Sequence, residues 1–208
     1  MNLFRNLAIV ALVLSTLALG AWKADSEQLE IGEIIPLMQV KMEDVSGSSF
    51  HLRELHQENG LLVIFSCNTC PFVLQWEDRY NELYNLCKAN NIGMVLVNSN
   101  EAKRDGDDSL EKMKEKAKEQ GYLMPYVVDS DHVVADAFGA RTTPHVYLFD
   151  RDAKLAYRGL IDDNGEDKNA VRKPYLINAI NAMKAGRTID PQVTKAMGCS
   201  IKRVEQEY

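Results

Sequence analysis

The stretch Leu61-Leu62-Val63-Ile64-Phe65-Ser66-Cys67-Asn68-Thr69-Cys70-Pro71-Phe72 changes character part-way along its length. Its first five residues form a continuous apolar run bounded by Gly60 and Ser66, which predicts a central strand buried on both faces. From Pro71 the period becomes helical. Phe72, Trp76, Tyr80, Leu83 and Cys87 share one face, and Glu77, Asp78, Glu82 and Lys88 take the others. Pro71 suits a first helical turn, where its missing N–H has no intrahelical partner in any case. Cys67 and Cys70 therefore stand where a buried strand hands over to a helix.

That placement gives the Cys-x-x-Cys spacing chemical meaning. A thiol at a helix N-terminus meets unsatisfied N–H groups and the positive end of the macrodipole, so its pKa falls below the free value of ~8.5. Cys67, expected nearer solvent at the turn, is the candidate attacking thiolate. Cys70, one turn on, is placed to close the ring and release a substrate. The competing readings are half of a zinc site or two structural thiols.

Outward from this stretch, strands and helices alternate. Leu37–Met42 and Phe50–Leu52, joined by the Gly- and Ser-containing segment 44–49, predict a hairpin before the core. Downstream, strands are expected over 92–98, 125–128, 145–149 and 155–161. Helices are expected from an Asp108 or Ser109 cap to Gln120, over 133–138, and over 170–184, with Gly121 and Gly139 as stops. This pattern predicts an α/β fold: a mixed sheet flanked by helices, with an N-terminal hairpin added. The domain is read as residues 35–185. Residues 186–208 form a tail too poor in apolar residues for a domain of its own, with Val193, Met197 and Ile201 spaced for a short amphipathic turn.

The first residues read as an export signal. Arg5 gives a positive start, Leu7–Leu19 is almost wholly apolar, and small residues follow at Gly20 and Ala21. The run is shorter than the ~20 residues a spanning helix needs, so residues 1–21 are a cleaved signal or a retained anchor, and 22–34 a spacer. Either way the domain is expected outside the cytoplasm, periplasmic or secreted, where disulfides persist. Thirty acidic and 24 basic residues are interspersed, for a net charge of −6, without the basic stripe that tracks nucleic acid.

Thr142-Thr143-Pro144-His145, at the start of a predicted strand, is the second constellation. A cis bond at Pro144 would turn the Thr143 backbone outward, where its N–H and C=O could pair with an extended substrate segment, whereas a trans Pro144, the commoner state of X-Pro bonds, would merely start the strand. His145 is then the nearest titrating group, unless it is a solvated strand-edge histidine. Cys87 lies on the apolar stripe and reads as a buried structural thiol. Cys199 sits in the tail, where packing does not obviously call for it; a tail cysteine can resolve an intermediate on a remote active-site thiol, or simply staple a loose end.

Together these segments resemble the thioredoxin superfamily, and within it the redoxin group of peroxiredoxin-like and periplasmic thiol-disulfide oxidoreductases. The resemblance spans residues 34–184 and rests on the hairpin, Phe65–Phe72, Thr143-Pro144, and Tyr157-Arg158-Gly159-Leu160-Ile161-Asp162-Asp163-Asn164. Gly198-Cys199-Ser200-Ile201-Lys202 is similar to the ending of a peroxiredoxin-like subgroup. The resemblance implies a cis Thr143–Pro144 bond facing a Cys67–Cys70 disulfide, protein thiols or disulfides as partners together with an upstream or downstream redox partner, no cofactor and no metal.

Departures from the family patterns separate the activities. Laying the peroxiredoxin pattern Pro-x-x-x-Thr-x-x-Cys on Cys70 puts Val63 in the Pro position and Cys67 in the Thr position, and Pro144 falls where the peroxide-polarising Arg is expected. Arg141 lies close enough to keep a thiol peroxidase as the alternative. Thioredoxin's buried acid is replaced by Leu61. A copper or zinc chaperone using Cys67, Cys70 and His145 is the non-enzymatic alternative, although exported copper carriers space their cysteines by three residues.

Overall fold

The computed structural model describes residues 27–204; the export segment 1–21 and the start of the expected spacer lie outside the described residues. Seven strands form one mixed sheet in the order β2 (Ser49–Phe50), β1 (Met42–Asp44), β5 (Tyr126–Val128), β4 (Gly93–Asn98), β3 (Leu61–Phe65), β7 (His145–Phe149) and β8 (Leu155–Gly159). At its centre β3 (Leu61–Phe65) runs parallel to β4 (Gly93–Asn98) and antiparallel to β7 (His145–Phe149). β5 (Tyr126–Val128) continues the parallel half, and β8 (Leu155–Gly159) closes the far edge against β7.

Every side chain of β3 is buried because both sheet faces are covered. Leu62 and Ile64 face one core with Trp76, Tyr80, Leu83 and Cys87. Leu61, Val63 and Phe65 face the other, with Phe138, Tyr147 and Phe149. The helices on these faces are α3 (Tyr80–Ala89), α4 (Leu110–Gln120), α5 (Val133–Phe138) and α6 (Tyr175–Lys184), with short α1 (Leu52–Leu55) and α2 (Pro71–Trp76) ahead of them. Ser109 caps α4 by accepting the Lys112 N–H, and Gly121 ends it in the left-handed region at φ 60°.

Several boundaries differ from the sequence reading. The hairpin forms later than expected, as β1 (Met42–Asp44) and β2 (Ser49–Phe50), and β1 also pairs with β5. Leu37 adopts φ 51°, which breaks any strand there, and Leu52 opens α1 instead of ending β2. The single helix expected from Pro71 divides at a 3-10 turn, Glu77–Arg79. Buried Arg79 donates to the Gln75 carbonyl at 2.6 Å and to Asp162 at 3.2 Å, and the Trp76 indole donates to Asp162 at 2.7 Å. These bonds hold the division. Strand β8 stops at Gly159 (φ 137°), and α6 begins only at Tyr175, after Pro174, because a residue preceding proline is disfavoured in helical geometry.

The described part of the spacer packs: Leu29 is buried, its N–H donates to the Phe138 carbonyl, and Gly32 donates to that of Leu155. The tail makes no amphipathic turn. It crosses the molecule extended, leaving Val193 and Met197 exposed and burying Ile201.

Candidate active site

The Cys67–Cys70 loop leaves β3 directly over the sheet and enters α2 at Pro71, with Cys70 as the N-cap residue. Four buried polar groups hold it from one side. Asp108, 1% exposed, accepts the Asn68 backbone N–H and the Asn98 side-chain amide through Oδ1, both at 2.8 Å. Its Oδ2 accepts the Asn100 amide at 2.9 Å. The Tyr126 hydroxyl donates to Asn68 Oδ1 at 2.9 Å. A buried carboxylate needs such donors, and these are supplied by the loop itself, β4 and the segment after it, while β5 holds the loop through Tyr126. Of the two cap candidates, Asp108 and Ser109, Ser109 takes the role, which frees the Asp108 carboxylate to fix the loop. The Asn98-Ser99-Asn100 run at the end of a buried strand is the one sequence signal that could have disclosed this network.

From the other side comes Thr143. Strand β6 (Thr142–Thr143) ends at a cis Thr143–Pro144 bond, as the resemblance implied. The Thr143 hydroxyl lies 3.2 Å from the Cys67 sulfur, and its carbonyl accepts from the Cys70 thiol at 3.2 Å. One residue thus touches both sulfurs. Cys67 is no nearer solvent than its partner: the two are 3% and 6% exposed.

The two sulfurs share a proton. Hydrogen bonding from Cys67, with further bonds from Cys199 and the Val73 N–H, pulls Cys70 down to about 4. The same shared proton, burial and the charge of Asp108 push Cys67 well above a free thiol. In the converse arrangement Cys70 donates to the Thr143 carbonyl while the Thr143 hydroxyl donates to Cys67, so the charge sits on Cys67. A carbonyl oxygen can only accept, and an anionic Cys70 would face its lone pairs. Thr143 therefore favours Cys67 as the thiolate and Cys70 as the proton holder. The pair titrates as one unit, with its first deprotonation depressed and its second raised.

The other sequence candidates lie elsewhere. His145 is buried at 1% exposed, its ring on Tyr147 at 4.6 Å, and burial followed by the charge of Arg158 lowers its pKa to about 3. It is neutral and makes no charged relay; the solvated-edge alternative fails as well. Arg141 and His145 line a flanking cavity of about 360 Å³ with Arg158 and Lys195. Cys87 is fully buried in the core, and burial raises it to about 12. Among the described residues no group of three or more His, Cys, Asp or Glu is arranged to hold a metal ion.

Cys199 does reach the site. Strand β9 (Cys199–Ser200) pairs antiparallel with β6, setting Cys199 opposite Thr143, and its side chain packs with Cys67, Cys70, Phe72 and Val73.

Residues 31–158, which include the dithiol and the cis-proline loop, match the model of the AhpC/TSA family. The chain belongs to the AhpC/TSA family. Its fold is that of the thioredoxin-like redoxins, shared with a thioredoxin-like protein solved in its oxidised form (TM-score 0.59, 22% identity, covering 77% of this chain and 99% of that one). A conserved protein of Geobacillus kaustophilus superposes with a TM-score of 0.80 at 32% identity, covering 88% of this chain and 96% of the other. The thiol-disulfide oxidoreductase YkuV of Bacillus subtilis (strain 168) is 32% identical over 96 residues, 44% of this chain and 58% of that protein. The match to this curated relative thus spans rather more than half of its length.

Proposed function

We propose that this redoxin-family oxidoreductase exchanges disulfides with protein substrates through a Cys67–Cys70 dithiol-disulfide pair. The observation that carries the reading is the contact of one residue, Thr143, with both sulfurs at 3.2 Å beside a cis proline. In the reducing direction the Cys67 thiolate attacks one sulfur of a client disulfide, and the other leaves as a thiolate. Cys70, giving up its proton, then attacks Cys67, which forms the Cys67–Cys70 disulfide and expels the second client thiolate. The Thr143 hydroxyl stabilises the charge on Cys67 before attack. A redox partner resets the pair.

Val63 and Pro144 stand where a peroxidase pattern asks for Pro and Arg, which supports exchange over peroxide reduction. The apolar leader supports work outside the cytoplasm, and a mature N-terminus near Gly20 or Trp22 is the expected result of sequencing the exported form. The direct test is trapping. Cys70→Ser should accumulate mixed disulfides on non-reducing gels, and Cys67→Ser should not; the opposite pattern would invert the roles, and trapping by neither would remove the function.

A further inference from the structure

The edge that a client strand would pair with is already filled by the protein's own tail. Cys199 stands opposite Thr143 and Ser200 opposite Thr142 in an antiparallel ladder. Gly198 lies so close to the cis-proline peptide that a Cβ there would sit 2.3 Å from the Thr143 carbonyl oxygen and 2.7 Å from its carbon. Only glycine lets the backbone approach this far. Beyond the strand the tail is anchored. The Ile201 N–H donates to the Arg141 carbonyl at 3.0 Å and its side chain is buried, and the Lys202 N–H donates to Asn100 Oδ1 at 2.8 Å. Asn100 also donates to Asp108, so the group that fixes the dithiol loop fixes the tail as well.

This docking delivers a sulfur. The Cys199 side chain packs against the Cys67–Cys70 pair, and the sulfur whose charge it favours is Cys70, which has Cys67 as its other sulfur neighbour. Cys70 is therefore the central sulfur of three. Cys199 is half-buried with Ser200 exposed beside it, so its thiol is neither sealed in the core nor free in solvent.

We propose that Cys199 is a third redox thiol that exchanges with the Cys67–Cys70 disulfide at Cys70, a step that rests on the dithiol reading above. The Cys199 thiolate attacks the Cys70 sulfur; the Cys70–Cys199 bond forms, the Cys67–Cys70 bond breaks, and its electron pair leaves on Cys67. The proton lost by Cys199 passes to water or to Cys67. No net oxidation occurs, so the step needs no oxidant beyond the one that made the first disulfide. The Thr143 hydroxyl, 3.2 Å from Cys67, stabilises the departing thiolate. The product holds Cys70 in the tail and leaves Cys67 as a lone nucleophile beside it. Holding the two reactants in contact on one chain is what makes the exchange compete with attack by clients.

The test uses the full chain oxidised with glutathione disulfide, quenched in acid, alkylated and mapped. In the wild type, a fraction should carry a Cys70–Cys199 peptide together with alkylated Cys67, and Cys67 alkylation should be several-fold lower in Cys199→Ser. Cys67→Ser should give Cys70–Cys199 in high yield, its two electrons passing to glutathione disulfide, whereas Cys70→Ser should give little Cys67–Cys199. Gly198→Ala, which collides with Thr143, should lose the Cys70–Cys199 species and keep the Cys67–Cys70 disulfide. A fully alkylatable Cys199 in oxidised wild type that still carries Cys67–Cys70 overturns the third thiol and leaves the dithiol reading standing. Failure to form Cys67–Cys70 at all overturns that reading instead, and the wild-type map decides the matter even where a variant does not fold.

Discussion

The dithiol loop is held differently on its two flanks. On the Asn68 side a buried carboxylate collects three donors from the loop, β4 and the segment after it. On the Cys199 side the cover is a two-residue strand, set by a glycine that fits, by one buried isoleucine and by the hydrogen bonds that residues 201–203 make to Arg141, Asn100 and Asp136. Permanent structure positions the sulfurs, and a much lighter piece of chain covers them. Segments with few buried contacts open at lower free energy than the core, so the tail is the part expected to yield when a client docks.

The comparison breaks most visibly at Asp108. Asp108→Ala would leave the Asn68 N–H and the Asn100 amide without an acceptor and take from the Asn98 amide one of its two, and unsatisfied buried donors cost ~1–3 kcal/mol each before relaxation. A loss of about 3 kcal/mol or more is expected, read as a lower denaturant midpoint in both redox states. A loss below ~1 kcal/mol would mean that the flank is not the fixed one.

Ile201→Ala probes the lighter flank. Removing a buried isoleucine side chain costs ~2–5 kcal/mol in a closed core, but a tail can detach locally instead. The expected result is a global loss at or below ~2 kcal/mol. Amide exchange should rise across residues 198–203 and leave β3 protected. Equal loosening of β3 would join the two flanks into one cooperative unit.

These flanks also differ in how far the sequence disclosed them. The junction was legible because apolar runs, helical spacing and a proline at the first turn are local signals, and β7 and α5 fall where periodicity placed them. The site partners were not local. Asp108 reads as one of two cap candidates, and only the folded chain shows that Ser109 caps while its neighbour turns inward. His145 was read as exposed or relay because nothing in the chain announces that Tyr147 and Arg158 will enclose it. Extended chain such as β9 has no period over two residues, so the tail's apolar spacing pointed to a helical turn that Gly198 and the β6 edge exclude.

Proton coupling gives a smaller and more specific effect. With the first deprotonation of the pair depressed to about 4 and its second raised, the reduced pair holds one proton across the neutral range, where an unfolded chain holds two. The folded pKa is the depressed one, so this contribution is fully present above the unfolded thiol value and is lost as pH falls through about 4. Reduced-state stability should therefore rise with pH over that window relative to the oxidised state. Above it the trend reverses, because the raised Cys67 keeps its proton in the fold and gives it up once unfolded.

The same coupling is legible in the reduction potential, where it tests which sulfur carries the charge. One proton taken up per two electrons gives a slope of ~30 mV per pH unit, and two protons give twice that, so the plot should steepen on the acid side. Thr143→Val removes the hydroxyl that donates to Cys67 and keeps the carbonyl that accepts from Cys70, together with the β6–β9 ladder. A hydrogen bond to a charged group contributes ~1.5 kcal/mol or more, which is about one pKa unit. The break should move up by about that much if the thiolate is Cys67. An unmoved break would place the charge on Cys70, under the tail, and make the lightly held flank the one that governs reactivity.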